Sequence, residues 1–166
     1  MNMKQPANET VVNMKKKSRE ETIASLKTKF KISELVCPHT VAKFGEKSWQ
    51  FLNTELLETL LVLRFDIFGV GMTVNHGTST QRGLRCNICQ LVKDQTVKNQ
   101  IYLSAHCTGC GVDVDFSGYT AAQARAKIKE KAALLPYPVR LEKDVTWVHI
   151  DVYNDGSGKK IVEFAG

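Results

Sequence analysis

No stretch of the chain approaches the roughly 18 consecutive apolar residues that a membrane-spanning helix requires. The N-terminal MNMKQPANETVVNMKKK also lacks the apolar core and small-residue cleavage site of a secretory signal. Both absences set the expectation of a protein made in the cytoplasm, without a membrane span. Charge of one sign is scarce outside the first residues. Positions 1–31 hold eight Lys/Arg against three Asp/Glu, whereas the rest holds fifteen against fourteen. A nucleic-acid-binding domain carries its own basic face, so no nucleic-acid partner is expected, and the basic segment reads as a solvated leader suited to weak attraction to anionic polymers. The five cysteines are odd in number, and without a secretory signal reduced thiols are expected rather than a disulfide scaffold. Internal repeats and low-complexity linkers are absent as well. The 166 residues therefore read as a disordered or loosely helical leader over 1–28 and one domain over 29–166, monomeric and large enough to bury a core.

Within that domain the periodicity alternates between helix and strand. NTELLETLLVLRFDIF, from Asn53 to Phe68, has a capping Asn, early acidic residues and a broad leucine face, which predict a helix stopped by Gly69 and Gly71. MTVN (72–75), QIYLSA (100–105) and GVDVDF (111–116) read as strands, the last with Asp113 and Asp115 on one face. Thr120 and Gln123 form a capping box for a helix ended by Pro136. Strands are expected over 139–142 and 146–153, then a hairpin in NDGSGKK before IVEF. Elements arriving in blocks with hairpin-length connections predict an α+β domain whose antiparallel sheet is flanked by helices.

Two metal-binding patterns overlap at YLSAHCTGCGVDVDF, residues 102–116. Cys86, Cys89, Cys107 and Cys110 stand as C-x2-C-x17-C-x2-C, within the range of a four-thiolate structural zinc module. Against that reading, CNIC lacks a glycine knuckle, and a four-thiolate site gives no part to the neighbouring histidines. The second pattern is His106 and Asp113, brought together if Gly109 and Gly111 let residues 107–111 reverse tightly. A third ligand would come from WVHID, where His149 lies on a strand with Asp151 on the same face. Three such ligands leave a fourth position for water, the arrangement of a hydrolytic zinc.

S-A-H-C-T-G-C-G-V-D, from Ser104 to Asp113, resembles the S-x-H-x-x-G-x-A-x-D signature of the zinc D-Ala-D-Ala peptidases, a family of carboxypeptidases, vancomycin-resistance dipeptidases and phage endolysins. T-W-V-H-I-D, from Thr146 to Asp151, resembles the family's second metal motif. QRGLRCN resembles its S-G-Y-R-x-x-x-x-N segment, keeping Arg82 and Asn87 five residues apart. Gly111 stands where the family has Ala, Gln81 where Tyr is common, and VKDQTVKNQ lengthens the interval before His106, which reads as a hairpin extension.

The resemblance implies a hedgehog/DD-peptidase-like fold and Zn2+ held by His106, Asp113 and His149. It further implies a peptidoglycan stem peptide as substrate, its carboxylate gripped by Arg82, with Ser104 and Asn87 as further substrate-side residues. Many members carry an acid three residues before the last histidine, where this chain has Thr146. The general base is then expected to be Glu142, with Asp144 and Asp151 as the other candidates. A wall hydrolase made without a secretory signal implies a phage or prophage enzyme that acts after release. Two other readings stay open: a zinc-binding, non-catalytic domain of the same fold, and the four-cysteine ribbon.

Overall fold

A computed structural model describes residues 17–166. They form a small α+β domain of six α-helices and a five-stranded mixed sheet. The helices are α1 (Arg19–Lys27), α2 (Ile32–Leu35), α3 (Pro38–Phe44), α4 (Thr54–Val62), α5 (Gln90–Asn99) and α6 (Ala121–Glu130). The strands are β1 (Met72–Thr73), β2 (Gly111–Phe116), β3 (Val139–Glu142), β4 (Val148–Asp151) and β5 (Ile161–Phe164), in the spatial order β1-β2-β4-β3-β5. Among the described residues no helix is long and apolar enough to cross a membrane.

Order begins earlier than residue 29. Ser18 and Glu21 close a reciprocal capping box on α1, which buries Thr22 and Leu26 completely. The Arg19 guanidinium ties this helix to the next layer, donating to Thr54 Oγ1 and to the carbonyls of Trp49 (2.9 Å) and Leu52 (2.7 Å). The expected leader thus contributes a core helix from Arg19 onward, while its first sixteen positions lie outside the described residues. Hydrogen bonds from a charged donor contribute about 1.5–3 kcal/mol. Arg19→Ala is therefore expected to lower the free energy of unfolding in urea by about 2–3 kcal/mol. A change within about 0.5 kcal/mol, as for an ordinary surface position, would mean that α1 is held by its apolar contacts alone.

The leucine-rich helix forms as its pattern predicts. Asn53 Oδ1 accepts from the amides of Glu55 and Leu56, and Leu56, Leu57, Leu60 and Leu63 are completely buried. Each such leucine contributes about 1.5–3 kcal/mol through removal from water. After Val62 the helix widens into a π-helical turn over Leu63–Phe68, and Gly69 ends it in the left-handed conformation. The Phe68 ring stacks on Phe116 with centroids 3.9 Å apart, which ties the helical layer to β2.

Alternation along the strands gives the sheet two different faces. Val112, Val114, Val148, Ile150, Val139 and Leu141 point into the core. The register sets Gly111 opposite Asp151, Asp113 opposite His149 and Arg140 opposite Asp151, so these residues share the other face. Two residues along from Arg140, Glu142 lies on that face and pairs with Phe164 of β5.

Three expectations are corrected. The sheet is not purely antiparallel: β5 runs parallel to β3, so NDGSGKK belongs to a crossover past β3 rather than to a hairpin. VKDQTVKNQ forms most of α5 instead of extending a hairpin, steadied by side-chain bonds from Gln90 to Asp94 and from Asn99 to Gln95. QIYLSA makes no ladder. Its alternation turns Ile101 and Leu103 outward, 77% and 76% exposed, so no sheet face claims them.

Candidate metal centres

His106 reaches the polar sheet face through a compact turn. The amides of Cys110 and Gly111 both donate to the Ala105 carbonyl, and Cys107 N–H donates to Ser104 O. Gly109 has φ +70°, and a Cβ there would run into the Phe51 carbonyl, so the reversal requires glycine. Gly111 is equally confined: a Cβ would lie 2.8 Å from Ala105 Cβ and 3.0 Å from Asp151 Cβ. An alanine has no room at this position, because the turn packs directly against β4.

The turn and the paired strands bring His106, Asp113 and His149 together, with one potential ligand atom from each within 4.8 Å of the others. All three are buried. His106 Nε2 lies 3.4 Å and His149 Nδ1 2.8 Å from Asp113 Oδ1. Tetrahedral zinc with bonds of about 2.0–2.1 Å would separate such nitrogen and oxygen donors by about 3.3 Å. The first distance matches that edge and the second is somewhat shorter.

Outer partners orient the candidate ligands. His106 Nδ1 donates to the Gly83 carbonyl at 2.9 Å, which leaves Nε2 directed at Asp113. His149 Nε2 lies 3.0 Å from Asp151 Oδ2, leaving Nδ1 as the inward atom. Arg140 holds the completely buried Asp151 through two bonds of 2.9 Å, and Tyr153 N–H donates to the same carboxylate. Asp151 is therefore an orienting group with both oxygens engaged, which removes it as a candidate base. Burial alone would lower the His149 pKa, but Asp113 and Asp151 raise it to about 9. Burial would raise Asp113, yet the imidazoles of His106 and His149 hold its carboxyl well below the usual range.

Asp113 lines a cavity of about 480 Å3 shared with Gln81, Arg82, Arg85, Thr146 and Trp147. Arg82 pairs with Asp115 at this cavity, and its backbone carbonyl accepts from Asp113 N–H. Arg85 escaped the sequence reading. It is buried, donates to the Gln81 carbonyl, and approaches Asp113 Oδ2 at 3.4 Å. Its place one residue before Cys86 inside the Arg82–Asn87 segment was the available signal. Glu142 shares the sheet face of His149, with its carboxylate against Gly166. Asp144 is exposed in the turn that follows.

Ser104 and Asn87 do not join this group. The Ser104 hydroxyl faces Cys107 Sγ at 3.4 Å, and Asn87 is exposed between Cys86 and Cys89. Those two cysteines form a second cluster that could hold an ion, with Cys37 and His39. The four-cysteine set does not assemble: Cys107 only packs beside the cluster, and Cys110 packs against the main core. Burial would raise Cys37, but bonds from the Thr40 side chain and from the Thr40 and Cys86 backbones, with a smaller one from Cys89, lower its pKa to about 6.

Compared with family models, with curated proteins and with solved structures, the chain matches none.

Proposed function

We propose that this chain is a zinc-dependent peptidase of the D-Ala-D-Ala peptidase type, hydrolysing a bond in the stem peptide of peptidoglycan. The observation that carries the reading is the meeting of two imidazole nitrogens and one carboxylate oxygen, with the carboxylate's residue, Asp113, lining a cavity of about 480 Å3. That donor set belongs to catalytic zinc, where three protein ligands leave a position for substrate or water. Zinc held there supplies Lewis acidity and lowers the pKa of water towards neutrality.

The chain's own groups do the rest. Asp151 and Arg140 hold the His149 ring, and the Gly83 carbonyl holds His106, so the ligands are oriented before substrate arrives. Glu142 takes the proton of the attacking water and returns it to the leaving amine. Arg82 meets the substrate carboxylate: its guanidinium pairs with Asp115 through Nη1 and presents further N–H donors to the cavity. Arg85 steadies Asp113 from the opposite oxygen.

Incubation of purified sacculi with the zinc-loaded protein, followed by mass spectrometry of the released and residual muropeptides, tests this. Loss of a terminal D-alanine or a cut within the stem peptide is expected. Intact stem peptides after prolonged digestion by the fully zinc-loaded protein would replace the peptidase with a zinc-binding, non-catalytic domain, a reading that Thr146 at the family's acid position already favours.

A further inference from the structure

The second cluster joins two segments far apart in the chain. Cys37 and His39 flank Pro38 at the start of α3, while Cys86 and Cys89 bracket a two-residue turn closed by Cys89 N–H donating to Cys86 O at 3.1 Å. Cys86 Sγ and Cys89 Sγ are 3.7 Å apart, and His39 Nδ1 lies 3.6 Å from the first and 3.7 Å from the second. A disulfide needs about 2.05 Å between sulfurs, so these thiols are not bridged. Tetrahedral zinc with Zn–S near 2.3 Å and Zn–N near 2.0–2.1 Å would instead set S···S at about 3.8 Å and S···N at about 3.6 Å. The separations match those edges. Cys37 completes the set, its candidate ligand atom within 4.8 Å of the other three.

We propose that Cys37, His39, Cys86 and Cys89 bind a structural zinc ion in a closed three-sulfur, one-nitrogen site, separate from the His106–Asp113–His149 centre. All four positions are filled by protein, the mark of a structural rather than a catalytic zinc. Surrounding packing suits this. Cys37 and Cys89 are buried with Val92, and Tyr102 and Cys107 pack beside them. Cys89 also stands at the N-cap position of α5.

The site acts as a clasp on the segment that orients the other centre. Cys37 N–H donates to Leu84 O and Leu84 N–H to Leu35 O, making a short parallel bridge next to the cluster. Between that bridge and Cys86 lies Arg85, whose N–H donates to His106 O, and just before it Gly83, whose carbonyl holds the His106 ring. Zinc at the cluster therefore fixes the strand of backbone that aims His106.

Metal analysis of the full-length protein, purified without chelators, tests the proposal. Two zinc ions per chain are expected, falling to one in Cys89→Ser and to one in His149→Ala. Cobalt substitution tells the sites apart. A thiolate-to-cobalt charge-transfer band is expected in wild type, His149→Ala, Cys107→Ser and Cys110→Ser, and is lost in Cys89→Ser. Absence of that band in cobalt-loaded wild type, or its loss in Cys107→Ser as complete as in Cys89→Ser, would overturn the assignment. Should Cys89→Ser fail to fold, the wild-type band and release of one zinc per chain by a mercurial reagent decide the matter. A protein that keeps the band yet cuts no peptidoglycan leaves this site standing while the peptidase reading falls.

Discussion

His149→Ala is expected to eliminate peptidoglycan hydrolysis and remove one zinc per chain. Disturbing the outer partner of a metal ligand already costs about 10–100-fold in affinity or activity, so loss of the ligand itself should exceed the upper end of that range. His149 also separates Asp113 from Asp151, touching each through a different ring nitrogen. Its removal takes one partner from each of two buried carboxylates, which keep Arg85 and Arg140, at a cost of about 1.5–3 kcal/mol in stability for each bond lost. Circular dichroism must therefore accompany the assay, and His149→Gln serves as the less disruptive companion. A folded variant of either kind that digests sacculi at the wild-type rate would remove zinc at this centre from the reaction.

Glu142→Gln separates metal binding from proton transfer. The amide cannot accept the proton of water, and positioned acid–base catalysis is worth about 10²- to 10⁴-fold. Turnover should fall by that factor while both zinc ions stay. Glu142 stands on the His149 face of the sheet but outside the group of ligand atoms, so its loss leaves the metal's donors intact. Unchanged turnover would pass the role to Asp144, the remaining acid near the strand end, since Asp151 has both oxygens committed to Arg140, Tyr153 and His149.

Much of the frame was readable because it rests on local signals. The capping box at Thr120, the Asn53 cap and the strict alternation of GVDVDF each act within a few residues, and each element forms where expected. The grouping of His106, Asp113 and His149 was also foreseen, since a turn and one strand pairing suffice to assemble it. What escaped depends on distant partners. Nothing near IVEF specifies that it crosses over to run parallel with β3. VKDQTVKNQ reads as a hairpin extension only from its place in the lengthened interval before His106, whereas its polar pairs at four-residue spacing support a helix. The polar, charged α1 hides its role because Arg19 finds its acceptors some thirty residues on. The grouping of Cys37, His39, Cys86 and Cys89 is hidden for the same reason. Along the chain Cys86 and Cys89 are weighed only with the next cysteines, as the less favoured alternative to free thiols, while α3 and the bridge at Leu84 deliver Cys37 and His39 to them.

The two-faced sheet has an evolutionary consequence. On β2, β3 and β4 neighbouring positions serve different faces: Val112, Val114, Leu141, Val148 and Ile150 fill the core, and Asp113, Glu142, His149 and Asp151 stand on the opposite, polar face. Selection can therefore revise the polar face through every second codon of three short strands while inheriting the scaffold unaltered.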